Sequence, residues 1–203
     1  MSRQTHPAAS DVRLNDVHSR LNPADVHLYA PTTLDDVAAI VGAAAQRGTP
    51  VAVCGGRHAM GGQQFANGGA LIDMTQCDRL LELDMERGLV RVESGIQWRA
   101  LIQGVLETQR RHAPDQPPRW GIAQKQTGAD ALSIGGALAA NVHGRGLLMA
   151  PFVSDVESFT LVIADGQTRR CSRDENSELF SLAIGGYGLF GVIGEVTIAE
   201  RGV

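Results

Sequence analysis

Two of the six histidines sit inside glycine-rich loops, and those loops are where this chain has the residue types for chemistry. The first loop reads Cys54-Gly55-Gly56-Arg57-His58-Ala59-Met60-Gly61-Gly62 and follows the apolar run Val51-Ala52-Val53. Glycines placed after a buried strand let consecutive backbone N–H groups converge on an anion, and Arg57 adds a fixed positive charge. The loop lacks the Lys-Ser/Thr ending of a P-loop, which disfavours nucleoside triphosphate hydrolysis. On its own it fits either a diphosphate cradle or an ordinary glycine-rich turn. The second loop joins Thr127-Gly128 to Ser133-Ile134-Gly135-Gly136-Ala137-Leu138-Ala139-Ala140-Asn141-Val142-His143-Gly144-Arg145-Gly146. Small side chains let a flat, bulky ligand lie against backbone, while Ser133, Asn141 and His143 can supply hydrogen bonds.

Other candidate chemistries are poorly supported. Gly186-Tyr187-Gly188-Leu189-Phe190-Gly191 matches GxGxxG by letter. The dinucleotide fingerprint needs a strand before it and a helix after it, and the pattern here reads helix first, then strand. We read it as a glycine-rich bend. His58 and His143 have no HxH, HxxxH or carboxylate-flanked partner, so a metal site is not expected. No GxSxG marks a serine nucleophile. The three cysteines (Cys54, Cys77, Cys171) are odd in number and carry no CxxC, which argues against a disulfide framework and fits a reducing cytoplasm.

Composition narrows the class further. The chain has 203 residues, is 43% hydrophobic and 20% charged, and carries a net charge of −4. It therefore has no basic field for nucleic acid. The longest uncharged apolar stretch, Ala131–Val142, is well short of the roughly 20 residues a transmembrane helix needs. Met1–Asn22 mixes charges throughout and does not resemble a secretory signal.

The elements that would position the loops can be read from periodicity. Residues 1–29 show none and are expected to form a loose arm. Thr33 caps a helix whose Leu34, Val37, Ile40, Val41 and Ala44 share one face, ended by Gly48 and Pro50. Strands follow at Val51–Cys54 and Ala70–Asp73, with a hairpin at Leu80–Asp84 and Leu89–Glu93. Trp98, Leu101, Ile102, Val105 and Leu106 mark the buried stripe of a second helix, about 97–110. Residues 112–126 carry Pro114, Pro117 and Pro118 and are expected to connect two lobes. Beyond them come a hairpin on Asp165-Gly166, a short helix capped by Asn176, and a strand at Val192–Ala199. The expected class is α+β, with a small α/β lobe over 30–111 and a mainly antiparallel α+β lobe over 127–203.

The ordered set "PTTLDDVAAIV", "VAVCGGRHAMGG", "GGALIDM", "VRVESGIQW", "SIGGALAANVHGRG", "DVESFTLVIADGQ" and "ENSELFSLAIGGYGLFGVIGEVTI" resembles the FAD-binding (PCMH-type) domain of the p-cresol methylhydroxylase and vanillyl-alcohol oxidase superfamily. "SIGGALAANVHGRG" looks closest to its decaprenylphosphoryl-ribose oxidase and aldonolactone or alditol oxidase branches. The resemblance implies a two-lobed fold holding FAD between the lobes. It places Gly55, Gly56, Arg57, His58, Ala59 and Met60 around the diphosphate. It places Gly128, Ser133, Ile134, Gly135, Gly136, Ala140, Asn141, Val142 and His143 along the diphosphate and isoalloxazine, and the backbone of Ile193 against the cofactor. His58 falls where some members attach the flavin covalently. No cysteine lies between Trp120 and Thr127, where doubly linked members carry a second anchor.

The resemblance further implies a flavin-dependent oxidoreductase that takes hydride from a substrate CH–OH to flavin N5. The family's substrate domain is absent, so the small-molecule substrate would be met through a missing or separate domain. No catalytic base is nominated. The alternative is a non-catalytic FAD module or electron-transfer subunit working with a partner chain. An exposed flavin-side face would favour self-association.

Overall fold

The computed structural model describes residues 8–126, 128–144 and 150–202. In chain order the elements are β1 (Ser10–Leu14), β2 (Ala24–Tyr29), α1 (Leu34–Arg47), β3 (Val51–Cys54), β4 (Ala70–Asp73), β5 (Leu80–Asp84), β6 (Leu89–Glu93) and α2 (Trp98–His112). They continue with β7 (Trp120–Gly121), α3 (Ile134–Ala139), β8 (Val156–Val162), β9 (Thr168–Ser172), α4 (Ser177–Ala183), β10 (Val192–Ala199) and β11 (Arg201–Gly202). The strands form a four-stranded sheet ordered β1-β2-β4-β3 and a five-stranded sheet ordered β5-β6-β10-β8-β9, with β7 and β11 paired separately. β2, β4 and β3 run parallel, and every pairing in the larger sheet is antiparallel. This is the expected α+β class.

Helix α1 forms where its signals place it. Thr33 accepts from the Asp36 N–H, and the Asp36 carboxylate accepts in return from the Thr33 N–H, a complete capping box. Gly48, at φ +64°, ends the helix in the left-handed region that glycine enters without strain. The buried face, Val37, Ile40 and Val41, meets Ile72 and Met74 on one side and Val162 and Val192 on the other. α1 is therefore wedged between the sheets. The larger lobe closes over α2, where Trp98 meets Phe152 edge-on at 4.7 Å, and Phe159 stacks on Phe180 at 5.1 Å. Fully burying a side chain of Val or Leu size contributes about 1.5–3 kcal/mol, so these stripes supply much of the driving force.

Three expectations change. Of the residues expected as a loose arm, Ser10–Leu14 and Ala24–Tyr29 instead form an antiparallel pair joined to β4, with Ala24 and Val26 buried. The sheets also part company between β4 and β5, not at 112–126, because β5 and β6 belong to the larger sheet. The 112–126 connection is pinned to α2 through Gln109, whose Oε1 accepts from the N–H groups of Arg119 and Trp120, both at 2.8 Å. Asn176 makes no side-chain cap. It adopts φ +48°, and its amide donates to the Arg170 carbonyl at 2.7 Å.

Candidate functional site

β3 delivers the chain into Gly55-Gly56, and the first glycine loop forms one wall of a cavity of about 290 Å³. Gly55, Gly56, Arg57, His58 and Ala59 all line it. A Cβ on Gly55 would overlap Ser133 Oγ, and one on Gly56 would sit 2.7 Å from the His58 ring, so only glycine fits at either position. Arg57 adopts φ +55°, sparsely populated for any residue but glycine and typical of backbone held by its surroundings. Among the described residues, the N–H groups of Gly56 to Ala59 meet no protein acceptor.

A turn between β1 and β2 braces this loop. The Val17 N–H donates to the Arg57 carbonyl at 3.1 Å, the Asn22 amide donates to the Met60 carbonyl at 2.7 Å, and His18 Nε2 lies 2.9 Å from His58 Nδ1. The turn is built on Asp16, whose carboxylate accepts from the N–H groups of His18, Ser19 and Arg20, the Ser19 hydroxyl and the Asn22 amide. Desolvation pushes the Asp16 carboxyl upward, but these hydrogen bonds outweigh it and hold the group well below the usual carboxylate range. Burial lowers the basicity of His58, the neighbouring His18 lowers it further, and a hydrogen bond to the Ala131 carbonyl opposes both.

The second wall is α3 and its approach. Ser133 caps α3 by accepting from the Gly136 N–H at 3.3 Å, and Gly135 packs against Ser94, to whose carbonyl it donates at 2.7 Å. Ser133, Gly135, Gly136, Ala140 and Val142 line the cavity, as does Ile193 from β10. The remaining expected residues lie off its wall. Met60 is 64% exposed, Ile134 is fully buried in the core, and a Cβ on Gly128, at φ +76°, would meet nothing within 4 Å among the described residues. Asn141 turns the chain at φ +46°, and among the described residues His143 reaches only the carbonyl of its neighbour Gly144, at 3.0 Å. Thr127, Arg145 and Gly146 lie outside the described residues.

Sequence reasoning missed several wall residues. Gln63, Gln64, Met74, Ser94 and Ala139 line the cavity, and so do Tyr187, Gly188 and Gly191 of the GxGxxG bend. The bend is no Rossmann turn, since α4 precedes it and β10 follows it. Its glycines still mark close approach: a Cβ on Gly191 would sit 2.5 Å from the Val162 carbonyl oxygen. Gln64 donates to the Ala59 carbonyl at 3.0 Å while its Oε1 is buried with no partner among the described residues.

The cavity is thus a slot lined by Gly55, Gly56, Gly135, Gly136, Gly188 and Gly191, where backbone can approach a ligand closely, with Arg57 and unengaged N–H groups on one wall. That donor set suits a long, flat, anionic dinucleotide. Among the described residues no cluster of His, Cys, Asp or Glu could hold a metal, and no helix is long and apolar enough to cross a membrane. All three cysteines are free and buried.

The slot and the two sheets define a dinucleotide-binding domain of α+β type. A sequence model of the family described as a FAD binding domain matches residues 27–172, and the chain belongs to that family of FAD-binding, PCMH-type oxidoreductase domains. It is similar to an uncharacterized oxidoreductase of the fasciation locus of Rhodococcoides fascians, at 33% identity over 171 residues. It is also similar to the L-gulonolactone oxidase of Mus musculus, at 29% over 171 residues. Each alignment covers 84% of this chain and 36% of the relative. The mitochondrial L-galactono-1,4-lactone dehydrogenase of Brassica oleracea shares 28% over 190 residues, covering 90% of this chain and 30% of its own. The chain therefore spans about a third of the length of these relatives.

Proposed function

We propose that this chain is the FAD-binding portion of a flavin-dependent oxidoreductase that takes hydride from a substrate CH–OH carbon. The reading rests above all on the slot, which Gly56, Arg57, His58 and Ala59 line with N–H groups that meet no acceptor among the described residues, within a chain of the FAD-binding family. These donors and Arg57 hold the diphosphate. Ser133, Gly135, Gly136, Ala140 and Val142 present a flat wall to the rest of the dinucleotide, and the Ile193 backbone closes it. When bound, FAD supplies the redox chemistry, accepting a hydride at N5. The chain's own residues bind and orient the cofactor and exclude water from its edge. The substrate is a small molecule met through further residues of the kind that make up the rest of the relatives' length.

The protein as purified should show absorbance near roughly 370 and 450 nm, bands that belong to the flavin and not to the polypeptide. A colourless protein that also fails to take up added FAD would overturn the reading. The bend beside the slot exposes Tyr187, Leu189 and Phe190, the second of them at 85%. This apolar edge supports self-association of the isolated chain. Sedimentation should show mass rising with concentration, and a monomer throughout would remove that part of the proposal.

A further inference from the structure

The two polar sides of the first glycine loop are treated differently by the rest of the chain. Three of its carbonyls are taken by protein donors: Arg57 by the Val17 N–H at 3.1 Å, Ala59 by the Gln64 amide at 3.0 Å, and Met60 by the Asn22 amide at 2.7 Å. The N–H groups of Gly56 to Ala59 meet no acceptor among the described residues, although all four residues line the cavity. In a planar trans peptide the carbonyl and the following N–H point in opposite directions. The bond from Val17 to the Arg57 carbonyl therefore also turns the His58 N–H away from the β1–β2 turn. Arg57 itself is left-handed at φ +55°, and a left-handed residue inside a turn is how successive N–H groups come to form an anion nest.

Asn22 links this loop to the centre of the turn. Its amide nitrogen donates to the Met60 carbonyl and, at 3.0 Å, to the Asp16 carboxylate. Both partners only accept, so this atom is the nitrogen and both of its hydrogens are used. A Cβ on Gly62 would sit 2.9 Å from Asn22 Oδ1, so the loop passes close against the side chain. Asn22 precedes residues 27–172, where the family match falls, so the link comes from outside the matched segment.

We propose that Asn22 is a positioning residue: it ties the first loop to the Asp16 turn, holds the carbonyl side of the loop, and so keeps the N–H side formed in advance for the diphosphate of the cofactor. The inference rests on the FAD reading. A cradle ordered before the ligand arrives does not have to be ordered by it, and affinity gains by that amount.

The test uses the whole chain with FAD, followed by flavin fluorescence quenching, and with ADP, which carries the same diphosphate, followed by calorimetry. Asn22→Ala should weaken both about fivefold, the scale of one hydrogen bond between neutral groups. Asn67→Ala is the control: Asn67 Oδ1 accepts from the Asp25 N–H at 2.9 Å, in the same strand pair but away from the loop, and both affinities should stay near wild type. Unchanged FAD and ADP binding in Asn22→Ala would overturn the proposal, and so would an equal loss in Asn67→Ala, which would mean that only the stability of the strand pair matters. If wild type takes up neither FAD nor ADP, the cofactor reading fails instead. Amide exchange in the free protein then decides the positioning role: it should quicken over residues 57–60 in Asn22→Ala and not in Asn67→Ala, and exchange unchanged in Asn22→Ala would remove it.

Discussion

The two glycine loops look alike in sequence, each with paired glycines and one histidine, but they are held in different ways. The first is fixed from outside: its carbonyls at Arg57 and Met60 accept from Val17 and Asn22, and its histidine is half-buried between His18 and Ala131. The second is held by the Ser133 cap and by backbone bonds that Gly135 makes to Ser94 and that Gly185 and Tyr187 make to Leu138 and Ala139, but among the described residues none of these engages His143, which is exposed. A histidine in a glycine loop is thus not one signal but two. What separates them is whether a distant segment supplies a partner.

The largest test of that contrast is a pair of alanines. Gly55→Ala drives a Cβ into Ser133 Oγ, where the first loop meets the second. It should lower stability by about 1–3 kcal/mol, as overpacking does, and weaken FAD uptake with it. Ser133→Ala in the same background should recover part of the loss. Gly144→Ala, where a Cβ meets nothing within 4 Å, should change stability by less than about 0.5 kcal/mol. Superimposable melting curves for wild type and Gly55→Ala would erase the distinction.

Next comes pH, where two groups pull in opposite directions. Glu200 is buried with both carboxylate oxygens unpartnered among the described residues, and burial pushes its pKa up from 4.5 to about 7. The folded protein holds this proton more tightly than the unfolded chain, so its stabilising effect is present below pH 4.5 and lost as pH rises through about 7. Glu200→Gln should raise stability at pH 8 by about 1–3 kcal/mol, read from urea midpoints. His58 is shifted downward from 6.5, so the unfolded chain binds its proton more readily. Its contribution is present above pH 6.5 and lost as pH falls below that value. In the Glu200→Gln background stability should therefore fall on acidification below pH 6.5, and His58→Phe should flatten that part of the slope. An unaltered slope in the double variant would remove His58 from the first loop's bracing.

Asn22→Ala sharpens the comparison at a smaller scale. Losing the bond to the Met60 carbonyl should cost about 1 kcal/mol and speed amide exchange around residues 57–60, leaving 133–142 unaffected. Equal acceleration in both loops would mean that the turn holds the whole slot and not one wall. The smallest effect belongs to His143→Ala, expected within about 0.5 kcal/mol of wild type in thermal melts.

What the sequence showed plainly was local. The Thr33–Asp36 box, the Gly48 stop and the Trp98–Leu101–Val105 stripe all act within one helix, and each appears where its spacing puts it. β1 and β2 are not legible by periodicity, although Val12, Leu14, Val26 and Leu28 alternate, because the strands are short and interleaved with Asp11, Arg13, Asp25 and His27. Their pairing is accompanied by contacts that neither strand shows alone, an ion pair of Arg13 with Asp25 and a hydrogen bond of His27 with Asp11. The GxGxxG bend was set aside by a rule about strand and helix order. That rule excludes one nucleotide fold but says nothing about a wall glycine forced by the Val162 carbonyl. The site's outer partners, His18 and Asn22, lie 40 and 38 positions from the groups they hold, a span that no local pattern encodes.

The larger sheet has a consequence for how the chain reaches its shape. β6 pairs on one side with its hairpin partner β5 and on the other with β10, whose Glu195 meets Arg91 across 104 positions. During synthesis the β5–β6 hairpin leaves the ribosome long before its other neighbour exists, and a two-stranded hairpin is at best marginally stable by itself. Until β10 arrives, the inner edge of β6, with Val90 and Val92, is open to any strand that passes. The larger sheet therefore cannot close until residues 192–199 arrive, since β10 lies between β6 and β8.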